Sequence, residues 1–316
     1  MDTNEIFKYR SVTACMRASY ELVTSHLVQI LKKTWWASLI LAIFTAITIY
    51  FRMPNKGLHD WGQLNPWASF STQTVIYLFT ILCTFVTCSA LWNWFNSKGM
   101  KLNLIRYSSV MLVYAVICIF FFGLLPLATQ PLIGRLADAA SSPNKMLLLS
   151  TGELILRGFI AMICILPFAY ILPRNMLREA SVPLRPWKSY TCGLRHFGSI
   201  FMMGFLGILL IFIITLIMLM PTYILMYVQI KSQLGALEGD PLGIPAYFTP
   251  LFLLVMTLTF FFYIYVIAWW GFSFTYLYGA IETQEKEKKE RLQAENQEHD
   301  VVHHIQSLVS NKNWTR

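Results

Sequence analysis

The residues that could do chemistry are few. Glu153 and Arg157 stand four apart, so on a helix they share a face and can form an ion pair. Inside a membrane span such groups are retained for transport or proton relay, because each costs several kcal/mol in hydrocarbon. Near the end of a span the same pair is structural, its long side chains reaching headgroups or water. If the helix begins earlier, at Met146, the pair lies deeper and becomes a gate or ligand site. Glu295, His299 and His303 recur at i, i+4, i+8 and could offer one face to a metal. Only the adjacent His304 could complete that coordination sphere, and a solvated tail helix accounts for the same spacing. Cys83 and Cys88 lack a recognised metal spacing and read as small packing residues. His59-Asp60 has no nucleophile near it in sequence, and His26 and His196 lie in interfacial segments, where histidine serves as a polar headgroup contact. No P-loop, G-x-S-x-G, H-E-x-x-H or dinucleotide fingerprint occurs. An intramembrane protease or lipid-modifying enzyme needs paired carboxylates, Ser/His or a metal cluster inside its spans, and the sequence offers none. The expectation is a protein without catalytic, cofactor or metal residues, and not an enzyme.

The elements that carry these residues follow from composition. Of 316 residues 56% are apolar and 13% charged, against about 25% charged in soluble domains. Asp, Glu, Lys and Arg are missing altogether from 34–51, 61–97, 107–134, 158–173, 196–230 and 241–281, more than half the chain. A hydrocarbon core about 30 Å thick needs about 20 apolar residues as helix. Backbone groups in lipid must be paired internally, which admits helices or closed barrels. Barrel strands alternate apolar with polar residues, and the run Phe205–Met220 does not alternate. The reading is an all-α polytopic membrane helical bundle. Its six spans are expected near 34–51, 72–92, 107–128, 154–173, 199–220 and 251–274, between a 1–33 N-terminal segment and a 282–316 tail.

Lys and Arg are retained on the cytoplasmic side of a bilayer. Here 19 of the 25 fall in the N-terminal segment, the second and fourth loops and the tail, all on one side. Both termini are therefore expected in the cytoplasm, and the membrane is read as the bacterial inner membrane. Lys32, Lys33, Arg185, Lys188 and Arg195 are candidate contacts to anionic lipid headgroups, each worth about 1 kcal/mol. The charge of +9 does not imply nucleic acid, because no soluble domain offers a basic groove with stacking aromatics. Trp35, Trp36, Trp92, Trp94, Trp187, Trp269 and Trp270 fall near the same boundary and read as an interfacial belt. Residues 1–33 do not read as a secretory signal, so the first span is expected to remain. None of the six cysteines falls in an outer loop, and no structural disulfide is expected.

Two basic segments ahead of spans are amphipathic. Residues 12–31 align Val12, Met16, Val23, Leu27 and Leu31, and 184–201 align Trp187, Tyr190, Leu194, Phe197 and Phe201. Such helices lie in the membrane interface, apolar face down. They share Ser-Tyr-x5-His (Ser19-Tyr20 with His26, Ser189-Tyr190 with His196), a match short enough to arise by chance. The pattern suggests an interfacial helix followed by a transmembrane hairpin, used three times. With Trp187-Lys188-Ser189-Tyr190, this layout resembles bacterial six-span membrane domains, such as the region attached to some glycerophosphodiester phosphodiesterases. No stretch here corresponds to the catalytic domain of those enzymes, so the resemblance implies neither activity nor site residues.

The outer loops 52–71, 129–153 and 221–250 are each too short for an independent domain. Ser38/Ala42/Ala46, Thr80/Thr84/Cys88 and Gly271/Thr275/Gly279 recur every four residues and permit close helix packing, within the chain or against another subunit. Pro167 and Pro221 should kink or end their helices. Beyond Ile281 the pairs Glu282–Lys286, Glu285–Lys289 and Glu287–Arg291 support a charged helical stalk. Its stripe Val301, Ile305, Leu308 and Val309 could dock on a partner protein. Three functions remain: a scaffold, anchor or accessory subunit; a small transporter or channel; and an interfacial lipid-headgroup enzyme. A transporter should show a polar mid-membrane cavity around Tyr77, Thr84, Tyr114 and Thr257.

Overall fold

The computed structural model describes residues 5–52, 66–125, 127, 129, 143–177, 186–237, 239, 245 and 247–312. The helices are α1 (Val12–Ser25), α2 (Leu27–Arg52), α3 (Pro66–Asn96), α4 (Met100–Ile119), α5 (Pro143–Ile165), α6 (Phe168–Leu177), α7 (Pro186–Arg195), α8 (Phe197–Met218), α9 (Met220–Leu237) and α10 (Phe248–Lys312). A π-helical turn, Phe120–Leu124, extends α4. No strand occurs among the described residues. Six stretches are long and apolar enough to cross a membrane: Leu27–Tyr50, Thr74–Asn96, Met100–Leu124, Thr151–Leu177, Phe197–Met218, and one in α10 within Phe248–Gln297. The protein is an all-α bundle, built as a multi-pass membrane protein.

The side chains are arranged as lipid would require. Leu82, Val116, Ile119, Ile208 and Phe212 face outward, while Ser38, Ala42, Ala46, Ser273 and Thr275 are buried. Lipid is as apolar as leucine, so close approach and hydrogen bonds, rather than hydrophobic sorting, hold such helices together. Across helices, Thr87 Oγ1 donates to the Ala37 carbonyl (3.1 Å), Thr34 pairs with the Tyr265 hydroxyl (3.2 Å) and Thr48 pairs with Thr80 (3.1 Å). The Ser38/Ala42/Ala46 stripe is thus used inside the chain.

Three expectations change. The stretch 221–250 is not simply a loop, because α9 occupies Met220–Leu237. Pro221 sits at the second position of that helix, where its missing N–H takes no bond from the ladder. The amphipathic helices pack on protein. In α1 the buried face is Cys15, Met16, Ser19, Leu22 and Val23, and α10 covers it. Ser19 Oγ donates to the Trp269 carbonyl at 2.7 Å, and Trp269 Nε1 donates to that of Met16 at 3.4 Å. Finally, Trp35 and Trp36 are 53% and 40% exposed, as a belt requires, but Trp92 and Trp94 pack with Phe95 and Phe272. Indoles at this end serve the core as well as the boundary. The Trp187 side chain lies outside those described, as do His59-Asp60 and the side chains of the tail histidines.

The recurrence is twofold. α1 joins α2 at His26 and α7 joins α8 at His196, each His taking a non-helical ψ near 20° (14° and 23°) between two helices. Ser19 and Ser189 are both fully buried. α1 packs on α10, the sixth span, and α7 on α6, the end of the fourth. Ahead of α4 the connection is only a tight turn through Ser97 (φ 52°) and Gly99 (φ 97°). Residues 5–11 complete this end of the bundle: Ile6 lies on Gly279 of α10, and Phe7 meets Tyr278 edge-on at 6.2 Å.

Candidate functional site

α6 ends at Leu177, and its last carbonyls need partners because the ladder leaves them unpaired. Asn96 Nδ2 donates to the Met176 carbonyl (3.1 Å), Arg106 to the same oxygen (3.3 Å) and Lys98 Nζ to that of Leu177 (2.5 Å). Cations there also meet the negative end of the helix dipole. Asn96 and Asn103 exchange two amide bonds of 2.9 Å, and Asn175 donates to the Arg106 carbonyl at 2.9 Å. Asn103, Arg106 and Asn175 are buried. This polar clamp fixes α6, and with it the two side chains α6 contributes one turn apart, Tyr170 and Arg174.

Those two face the joint between α7 and α8 and the point where α10 leaves the apolar part of the bundle, beyond Ile281. A cavity of about 240 Å³ opens among Tyr170, Arg174, Thr191, Cys192, Arg195, Glu282, Glu285 and Lys289. Tyr170 donates to Glu282 Oε2 at 2.7 Å and accepts from the Cys192 thiol at 3.4 Å. The Arg174 guanidinium stands 5.9 Å from the Tyr170 ring centre. His196 Nε2 lies 3.1 Å from Glu285 Oε1, and Arg195 reaches the same oxygen at 3.4 Å. The hydrogen bond from His196 holds the Glu285 carboxyl below its ordinary range, with Arg195 adding to it against the opposing effect of burial. Burial pushes the Cys192 thiol up. One ligand atom each from Cys192, His196 and Glu285 lie within 4.8 Å of one another, the group among the described residues that could hold a metal ion.

Sequence reasoning did not bring these residues together. Glu282 and Glu285 were expected to pair along the stalk with Lys286 and Lys289. Instead Glu282 turns to Tyr170 and Glu285 to His196 and Arg195, and the ion pairs among the described residues include none of the three stalk pairs. A partly buried carboxylate gains more from a partner across the bundle than from a solvated lysine one turn away. The signal was present in part, as Cys192 and His196 stand at i, i+4.

Glu153 and Arg157 do pair, with side chains 26% and 10% exposed, and Thr129 Oγ1 donates to Glu153 at 2.6 Å. α5 begins at Pro143, earlier than Met146, so the pair stands about 15 Å along its helix. Among the candidate lipid contacts, Lys32 and Lys33 are exposed. Arg195 is 67% exposed yet tied to Glu285. Arg185 and the Lys188 side chain lie outside the described residues. A second cavity, about 270 Å³, lies between α2, α3, α4, α6 and α10, lined by Thr84, Thr87, Cys88 and Tyr107 among mainly apolar residues. Tyr77, Tyr114 and Thr257 do not line it.

Comparison with protein families, with curated proteins and with solved structures finds no match.

Proposed function

We propose that the protein is a non-enzymatic membrane anchor or accessory subunit that holds a rigid helical stalk at the cytoplasmic face for a partner protein. The observation that carries this reading is α10. It runs without interruption from Phe248 to Lys312, 65 residues, or about 98 Å at 1.5 Å per residue. Residues 286–297 are exposed along their whole length. A helix that continues beyond its span, exposed throughout 286–297, transmits position from the bilayer to whatever binds it. The 19 basic residues on one side support a cytoplasmic placement of both termini, with anionic headgroups beneath them. The same charge bias fits the bacterial inner membrane. Against transport stands the mainly apolar lining of the cavity beside Thr84, which includes no charged side chain.

The test is affinity purification of the full chain and of a chain ending at Glu290, both in mild detergent and quantified against each other. The expected result is a stoichiometric partner retained by the full chain and lost on truncation. Recovery of the same proteins with both chains, or of none with either, would refute the reading.

A further inference from the structure

We propose that Cys192, His196 and Glu285 form a binding site for a divalent transition metal, zinc being the ion their chemistry fits best. A thiol, an imidazole and a carboxylate from two separate segments converge with their ligand atoms within 4.8 Å of one another. In tetrahedral zinc the ligand atoms are about 3.3–3.8 Å apart, given bonds of about 2.3 Å to sulfur and 2.0–2.1 Å to nitrogen or oxygen. His196 Nε2 and Glu285 Oε1 already stand 3.1 Å apart, so shifts of about 1 Å complete the set. Borderline-soft donors of this kind select zinc over magnesium or calcium, which take oxygen alone.

The surroundings are those of a supported site. Cys192 and Glu285 line the 240 Å³ cavity, which leaves the fourth position to water. Tyr170, which accepts from the Cys192 thiol, also donates to Glu282, one turn from Glu285. It thereby places the sulfur in the metal-free site and holds a second carboxylate, Glu282, beside it. Such outer partners usually account for 10- to 100-fold in metal affinity. On binding, Cys192 gives up its thiol proton to solvent, and the Nε2–H that His196 donates to Glu285 is lost as the ring coordinates through Nε2 in its neutral Nδ1–H tautomer. Arg195 holds Glu285 Oε1 at 3.4 Å and is 67% exposed; it leaves this oxygen for water when the metal arrives. Arg174 and Lys289 on the rim oppose a cation, and the thiolate with Glu282 and Glu285 offsets them. Cys192 and His196 flank the α7–α8 joint while Glu285 stands at the base of the stalk, so the ion fastens one to the other.

The experiment uses the full chain in detergent, stripped with chelator and loaded with Zn2+ or Co2+. Because Glu295, His299, His303 and His304 could bind metal independently, it is run in the native chain and in one with His299, His303 and His304 changed to Ala. At least one equivalent of Zn2+ should bind in the native chain and one in the tail-histidine variant, and in both Co2+ should give thiolate-to-cobalt charge-transfer absorption with tetrahedral d–d bands. Cys192→Ser should abolish the charge-transfer band, and Cys192→Ser, His196→Gln and Glu285→Gln should each weaken Zn2+ at least 30-fold. Cys164→Ser should change nothing. Arg195→Gln should tighten binding several-fold, since it removes the competitor for Glu285. Absence of a thiolate band in the unsubstituted chain overturns the proposal whatever the variants do. So does zinc binding that disappears with the tail histidines, or that survives Cys192→Ser unchanged.

Discussion

Gly279 lies on the face of α10 that the N-terminal segment crosses, and an added methyl there has nowhere to go. A Cβ would stand 2.1 Å from the Ile6 carbonyl oxygen and 2.8 Å from its carbonyl carbon and from Cγ2. Backbone atoms cannot swing aside as a flexible side chain can, so Gly279→Ala must lift residues 5–11 from the bundle. Ile6 is 2% exposed, and its burial is the main anchor of the segment, worth about 1.5–3 kcal/mol. At about 1.4 kcal/mol per tenfold change, losing it lowers the docking equilibrium constant roughly 10- to 150-fold and raises the open fraction accordingly. Trypsin cleavage after Lys8 reports that fraction when opening is fast relative to cleavage. We expect cleavage after Lys8 to accelerate at least tenfold while cleavage after Arg17, in α1, keeps its rate. Ile6→Ala alone should have a similar effect, and the double variant should be no faster than either, because the anchor can be lost only once. Native cleavage rates in Gly279→Ala, or additive effects in the double variant, would refute the docking.

Two further outcomes follow from the packing. A Cβ on Gly207 would lie 2.0 Å from Trp270 Nε1 and 2.4 Å from Cδ1, so Gly207→Ala should destabilise the α8–α10 contact by about 1–3 kcal/mol. A lower denaturant midpoint, restored in part by Trp270→Phe, is the expected result, and a midpoint at the native value contradicts it. Glu153→Gln leaves the 10%-exposed Arg157 without its counter-ion and should cost about 1–3 kcal/mol. Glu153→Gln with Arg157→Gln should cost less than Glu153→Gln alone, and a larger loss in the double variant would dissociate the two.

The spans were legible because their signal is a simple one. Charge is excluded over windows as long as a bilayer is thick, and all six windows hold a candidate span. The limits of that reading lie at the ends of the spans. Pro221 reads as a stop signal, yet the same ring that ends a helix also begins one, and sequence does not say which side of Pro221 is helical. α1 and α7 were legible as amphipathic, but amphipathicity gives the direction of an apolar face and not what covers it. Lipid and α10 are interchangeable to Met16 and Val23. What breaks the tie is Ser19, whose hydroxyl finds the Trp269 carbonyl, a partner 250 residues away that no local pattern contains. The same holds for Trp92 and Trp269, since indole suits a headgroup boundary and a core edge equally well.

The polar site at the stalk base illustrates the harder case. Glu282 and Glu285 stand four residues before Lys286 and Lys289, and on an isolated helix that spacing predicts ion pairs worth about 0.2–0.5 kcal/mol each. So small an energy yields to any partner that shares its burial. Tyr170 and His196 are such partners, placed by the Asn96–Asn103–Arg106 clamp on α6 and by the joint at His196. The local rule therefore yields where the helix touches the bundle, while residues 286–297 stand exposed beyond it. The position of that change is informative in itself. Charge on α10 that turns inward marks the last turns still coupled to the membrane body, and charge that faces solvent over 286–297 marks turns that are not. Cys192, His196 and Glu285 stand at the boundary between those two regimes, where the stalk leaves the bundle.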